Sequence, residues 1–116
     1  MHVIWNKCTG DSWCSLLNVN LAHAHFEGLE GVYIIWHAGQ RPATVYIGQG
    51  VIGDRIQAHR SEDAVLAYSA HGLFVTWARV DRASLDGVER FLADTLNPKV
   101  GTHRPQAVPI AVNLPW

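Results

Sequence analysis

Two apolar runs, Gly31-Val32-Tyr33-Ile34-Ile35-Trp36 and Ala43-Thr44-Val45-Tyr46-Ile47-Gly48, constrain this chain more than any other feature of it. Both are rich in β-branched and aromatic residues, and both read as strands buried on two faces. The stretch from His37 to Pro42 between them, with Gly39 inside it, is a turn. It makes the pair an antiparallel hairpin.

The remaining elements follow from periodicity and punctuation. Gly48 and Gly50 are expected to end the second strand. Val51 to Arg60 reads as a helix, and Glu62 to Ala70 as a second short helix or helical turn closed by Gly72. Leu73 to Val80 reads as a third strand. Ser84 is suited to cap a helix from Leu85 to about Leu96, with Asp86 and Glu89 near its positive end and Asn97-Pro98 as the stop. Before Glu30, the residues Trp5, Trp13, Leu16, Leu17, Leu21 and Phe26 are apolar enough to pack, and Leu16 to Ala24 fits either a short helix or an extended piece. The expected fold is therefore α/β (α+β), a small three-stranded antiparallel sheet flanked by helices. Residues 1–29 form a cap, 30–101 the body, and 102–116 an extended tail marked by Pro105, Pro109 and Pro115. Trp116 suggests that this tail docks into a groove of its own or of a neighbouring subunit, so monomer and homodimer both stay open.

Length and composition narrow the function classes. With 116 residues, 48% of them apolar, the chain fits one globular domain and not a disordered one. No apolar run approaches the ~20 residues that span a bilayer, so no membrane partner is expected. Without a leader-like start, and with Cys8 and Cys14 expected as free thiols, the expected location is cytoplasmic. Nine Lys and Arg against ten Asp and Glu leave a net charge of -1, which argues against broad attraction to nucleic acid. Any phosphate site must be local. Cys8, Cys14, His23 and His25 carry zinc-binding atoms, but their spacing lacks the short knuckle of structural zinc sites. The five tryptophans could stack bases, and packing is the commoner use.

Polar side chains intrude where the pattern calls for apolar ones. Leu85, Val88, Leu92 and Leu96 form one stripe of the last helix, and Glu89 falls inside it. A carboxylate aimed at a core must bind a cation, pair with a basic group or sit at the lip of a cleft. On the first helix Val51, Ile52, Ile56 and Ala58 outline an apolar arc that Arg55 and His59 enter one turn apart. Two such conflicts beside one small sheet point to a shared polar site. Arg, Glu, Tyr and His together supply phosphate binding, hard metal ligation and proton transfer.

In this order Gly31-Val32-Tyr33, Tyr46-Ile47-Gly48, Arg55, His59, Glu89 and Asn97 resemble the GIY-YIG nuclease domain over about Glu30 to Gly101. The resemblance implies metal-dependent endonuclease activity, with DNA as substrate and Mg²⁺ or Mn²⁺ as cofactor. Glu89 would be the metal ligand, Arg55 the stabiliser of phosphoryl charge, and Tyr33 the general base or water-positioning phenol. Tyr46 would contact water or phosphate, His59 would act one turn after the Arg, and Asn97 would order the site. Arg41, Gly48 and Arg60 are left for substrate contact. Val32 replaces the family's middle Ile, and Arg41 is the only cation between the tripeptides, where several members carry Lys. No fused DNA-binding domain is expected beside these residues, so an accessory protein is the expected source of affinity. The alternative is a non-catalytic module of the same fold that binds nucleic acid or protein.

Overall fold

A computed structural model describes residues 1–101 and 103–116. Thr102, the first residue of the expected tail, lies outside the described residues. The elements in chain order are β1 (Cys14–Ser15), β2 (Glu30–His37), β3 (Ala43–Val51), α1 (Ile52–His59), α2 (Asp63–Leu66), β4 (Leu73–Arg79) and α3 (Leu85–Leu96).

The sheet is antiparallel throughout, with the order β1-β4-β2-β3. It therefore has four strands where three were expected. The extra one is a two-residue edge, Cys14 and Ser15 opposite Val75 and Phe74, drawn from the presumed cap. Two residues carry no periodicity, and their pairing is with a strand about sixty positions away. β2 is central and buried from Gly31 to His37. Tyr33 and Ile35 meet Ile52 and Ile56 of α1 in one core, while Val32, Ile34 and Trp36 meet Val88 and Leu92 of α3 in the other. Alternation of side chains across a strand thus divides one apolar run between two layers.

β3 continues through both glycines to Val51 instead of ending at Gly48, because a strand without a Cβ at 48 leaves room for the ring opposite. α1 consequently starts at Ile52. Its buried face is Ile52, Ile56 and His59, whereas Val51 and Ala58 are exposed rather than apolar contacts. The expected helix over Glu62 to Ala70 is split into α2 and a 3₁₀ turn, Ser69–His71. Ser84 precedes α3, but its side chain bonds Asp81 and caps nothing.

The two ends of the chain are tied to each other. Asn113 accepts from the Val3 amide at 2.7 Å and donates to the Val3 carbonyl at 3.0 Å. Trp5 Nε1 donates to the Asn113 carbonyl at 2.8 Å. Val3 and Val112 are thereby sealed into the α3-side core. Cys8 and Cys14 form a disulfide, so the expectation of free thiols is corrected. Neither sulfur is then a thiolate donor for zinc. Among the described residues no helix is long and apolar enough to cross a membrane.

Candidate active site

The site is built around the point where Tyr33 faces Gly48 across the β2–β3 ladder. A Cβ at position 48 would lie 2.6 Å from Tyr33 Cζ and collide with the hydroxyl as well. Gly48 is therefore the space that the Tyr33 ring occupies, a packing role where the sequence suggested substrate contact. Tyr33 is fully buried, and its hydroxyl lies 2.6 Å from His59 Nε2. On the other side of the imidazole, Nδ1 lies 2.6 Å from Glu62 Oε2.

The partners fix the protons. An ionised carboxylate only accepts, so His59 Nδ1 carries the hydrogen and Nε2 is bare. Tyr33 O–H then donates to Nε2, and a continuous chain Tyr33–His59–Glu62 results. Burial lowers the His59 pKa, opposed by Glu62. With the ring neutral, its contact with Glu62 is a hydrogen bond rather than an ion pair. Burial pushes the Tyr33 phenol well above its usual range, against the pull of Arg55.

Tyr46 stacks on Tyr33 with 6.1 Å between centroids and lies 4.4 Å from the His59 ring. It is half-buried, and burial raises its pKa too, again opposed by Arg55. The Arg55 guanidinium, placed beside both phenols by α1, makes no ion pair among the described residues. Its hydrogen-bond partner is the Tyr33 phenol, so its charge is not cancelled by a carboxylate. Of the two tyrosines, then, Tyr46 is the one that solvent reaches.

Glu89 approaches from α3. Burial, then the neighbouring Asp86 charge, pushes its carboxyl up to about 7, while the Gln49 amide works in the opposite direction. Gln49 Nε2 also donates to Asp86 Oδ1 at 2.6 Å. The Glu89 charge is felt by both Tyr33 and Tyr46, so the carboxylate belongs to the same neighbourhood as the phenols. It has no salt-bridge partner among the described residues.

Three expected site residues have other surroundings. Asn97 ends α3 in the left-handed conformation, φ 48°, with its side chain reached by Arg104. Arg60 donates to the carbonyls of Leu16 and Val19 at 2.7 and 2.6 Å, which binds the N-terminal segment to α1. Arg41 is exposed in the β2–β3 turn, at the opposite end of β3 from Gly50. The sequence reading missed Glu62 altogether. Its spacing of three from His59 was a usable signal, since side chains three apart meet on a helical turn.

Comparison of the chain with protein-family models, with curated proteins and with solved structures finds no match.

Proposed function

We propose that this protein is a metal-dependent endonuclease that hydrolyses DNA phosphodiester bonds at the Tyr33–Tyr46–Arg55–His59–Glu89 site, in the manner of GIY-YIG nucleases. The observation that carries the proposal is the hydrogen-bonded chain Tyr33–His59–Glu62 beside Arg55 and the half-buried Glu89, neither of which has an ion-pair partner among the described residues. A structural cluster would be expected to pair Arg55 with Glu89 or to dispense with both.

The donor set fits a divalent cation. Mg²⁺ is commonly held by one or two carboxylates, with water and substrate oxygens completing its shell. Glu89 would hold it here, with Asp86 behind, and their mutual repulsion is a reason for a cation to enter. The bound metal would polarise the phosphoryl oxygen and stabilise the leaving oxygen.

The protein's own residues divide the remaining work. Arg55 takes phosphate oxygens in its planar fork and offsets charge that grows in the transition state. Tyr46, at the rim, orients the attacking water. As the water oxygen bonds to phosphorus and the bond to the leaving deoxyribose oxygen breaks, the water gives a proton to the Tyr33 hydroxyl, which passes its own to His59 Nε2, and the leaving oxygen takes a proton from solvent. Glu62 stabilises the imidazolium that results. The low His59 pKa keeps the ring ready to accept at neutral pH.

The test is cleavage of supercoiled plasmid, single-stranded DNA and branched DNA with Mg²⁺ or Mn²⁺, comparing wild type with Glu89→Ala. Cleavage by wild type and its loss in the variant are expected. Equal cleavage by both proteins would remove Glu89 from the mechanism. No cleavage by wild type on any substrate would leave the non-catalytic module as the better reading.

A further inference from the structure

Away from the candidate active site, three tryptophans enclose a cavity of about 260 Å³. Trp13 stands edge-on to Trp36 at 5.3 Å and to Trp116 at 6.0 Å, both at 89°, while Trp36 and Trp116 are 4.8 Å apart. Pro42, Ala43 and Thr44, from the end of the β2–β3 hairpin, complete the lining. Trp36 is buried, but Trp116 is 55% exposed, so the aromatic wall opens to solvent.

The charges around this cavity select its ligand. Among the described residues no Asp or Glu side chain lines it. Lys7 Nζ already lies 4.5 Å from the Trp13 ring centroid, and Arg41 immediately precedes Pro42 in the turn. The backbone of Lys99 is bonded to Thr44. Among the described residues Lys7 pairs with Asp11 alone, at 3.4 Å and on an 88% exposed carboxylate, an interaction that a phosphate can replace. A quaternary ammonium, the usual guest of an aromatic cage, would meet the Lys7 ammonium that already sits over Trp13. A base attached to a phosphate meets aromatic faces inside and cations outside, which is the combination by which single strands are held without sequence preference.

We infer that the Trp13–Trp36–Trp116 cavity takes an unpaired nucleobase of single-stranded DNA, with the adjoining phosphates on Arg41 and Lys7. The inference rests on the nuclease reading for its substrate, and it narrows that substrate to DNA with a single-stranded arm. Gly48 and Ala43 are five positions apart along β3, on the order of 17 Å. Because Trp36 and Tyr33 lie on opposite faces of the sheet, an arm entering the cavity reaches the cleft by rounding the edge strand β3. The net charge of -1 is no obstacle, because stacking supplies affinity that a basic surface otherwise would.

The test uses the full chain in EDTA, where no metal-dependent cleavage proceeds, and titrates oligo(dT) against tryptophan fluorescence. Wild type is expected to bind. Trp116→Ala, at a peripheral position, is expected to weaken binding about tenfold, and Arg41→Ala several-fold, with circular dichroism unchanged. Oligo(dT) binding that is absent, or equal in wild type and both variants, overturns the inference. So does displacement of bound oligo(dT) by millimolar tetramethylammonium but not by equal sodium, which would mark the cage as a cation site. A parallel Mg²⁺ assay on a duplex with a single-stranded arm separates the two proposals. Glu89-dependent cleavage with unaltered oligo(dT) binding in Trp116→Ala sinks the cavity assignment alone. Trp116-dependent binding without cleavage sinks the nuclease reading and keeps the cavity as a binding site.

Discussion

Replacing Glu89 with Gln keeps the shape of the side chain and removes its titration, so the pH dependence of stability isolates what burial and Asp86 do to this carboxyl. Its pKa in the fold is about 7 against an ordinary 4.5. Between those values the native protein binds more protons than the unfolded chain, so stability falls as pH rises through the window. A difference of roughly 2.5 pH units has a ceiling of about 3 kcal/mol. Partial exposure of the carboxylate reduces this to about 1–2 kcal/mol. Relative to wild type, Glu89→Gln should therefore gain about 1–2 kcal/mol on going from pH 5 to pH 8, or about 4–8 °C in melting temperature for a domain of this size. Thermal melts of both proteins at the two pH values, without metal, measure it. Millimolar Mg²⁺ at pH 8 should raise the wild-type melting temperature and leave the variant unchanged. A gap between the proteins that is the same at pH 5 and pH 8 would refute the reasoning, because Glu89 would then titrate as an ordinary surface carboxylate.

Other residues give further checks. Glu62→Gln should displace the acid limb of the pH–rate profile for cleavage to lower pH, since His59 loses the carboxylate that raises its pKa; an unmoved limb would disconnect Glu62 from the base. Gly48→Ala should lower stability by about 2 kcal/mol or more, because a Cβ there collides with the Tyr33 ring, and urea unfolding reads the loss. Reduction of the Cys8–Cys14 bond opens a loop of six-residue separation, worth about 2 kcal/mol of unfolded-state entropy, so dithiothreitol should lower the melting temperature. Two titratable thiols in the denatured, unreduced protein would show that the bond is absent.

The parts of the fold legible in the sequence are those where many neighbours repeat one pattern. β2, β3, β4 and α3 each carry enough apolar residues in register to reveal their type, and all but β3 their approximate extent. The intrusion of Arg55, His59 and Glu89 into apolar arcs was legible for the same reason, as local exceptions to a strong rule. Other features depend on distant partners. β1 exists because Cys14 and Ser15 meet Val75 and Phe74, and the Cys8–Cys14 bond because the chain turns back at Thr9–Asp11. Arg60 resembles any helix-end cation until Leu16 and Val19 bring their carbonyls to it. Glu62 stands three positions after His59, a spacing that already allowed contact, but beyond α1 it breaks no apolar pattern that would single it out. Val51 and Ala58 misled because the helix starts one residue later than the apolar pattern suggests.

The bond between Val3 and Asn113 has a consequence for ligand capture. Trp116 lies three positions past Asn113, so one wall of the tryptophan cavity is anchored by residues from the opposite end of the chain. Proteolytic nicking near Trp5 would release that wall while β2 stayed hydrogen-bonded on both sides. The grip on an unpaired base is thus a latch fastened by the first few residues, and it can open without unfolding the sheet.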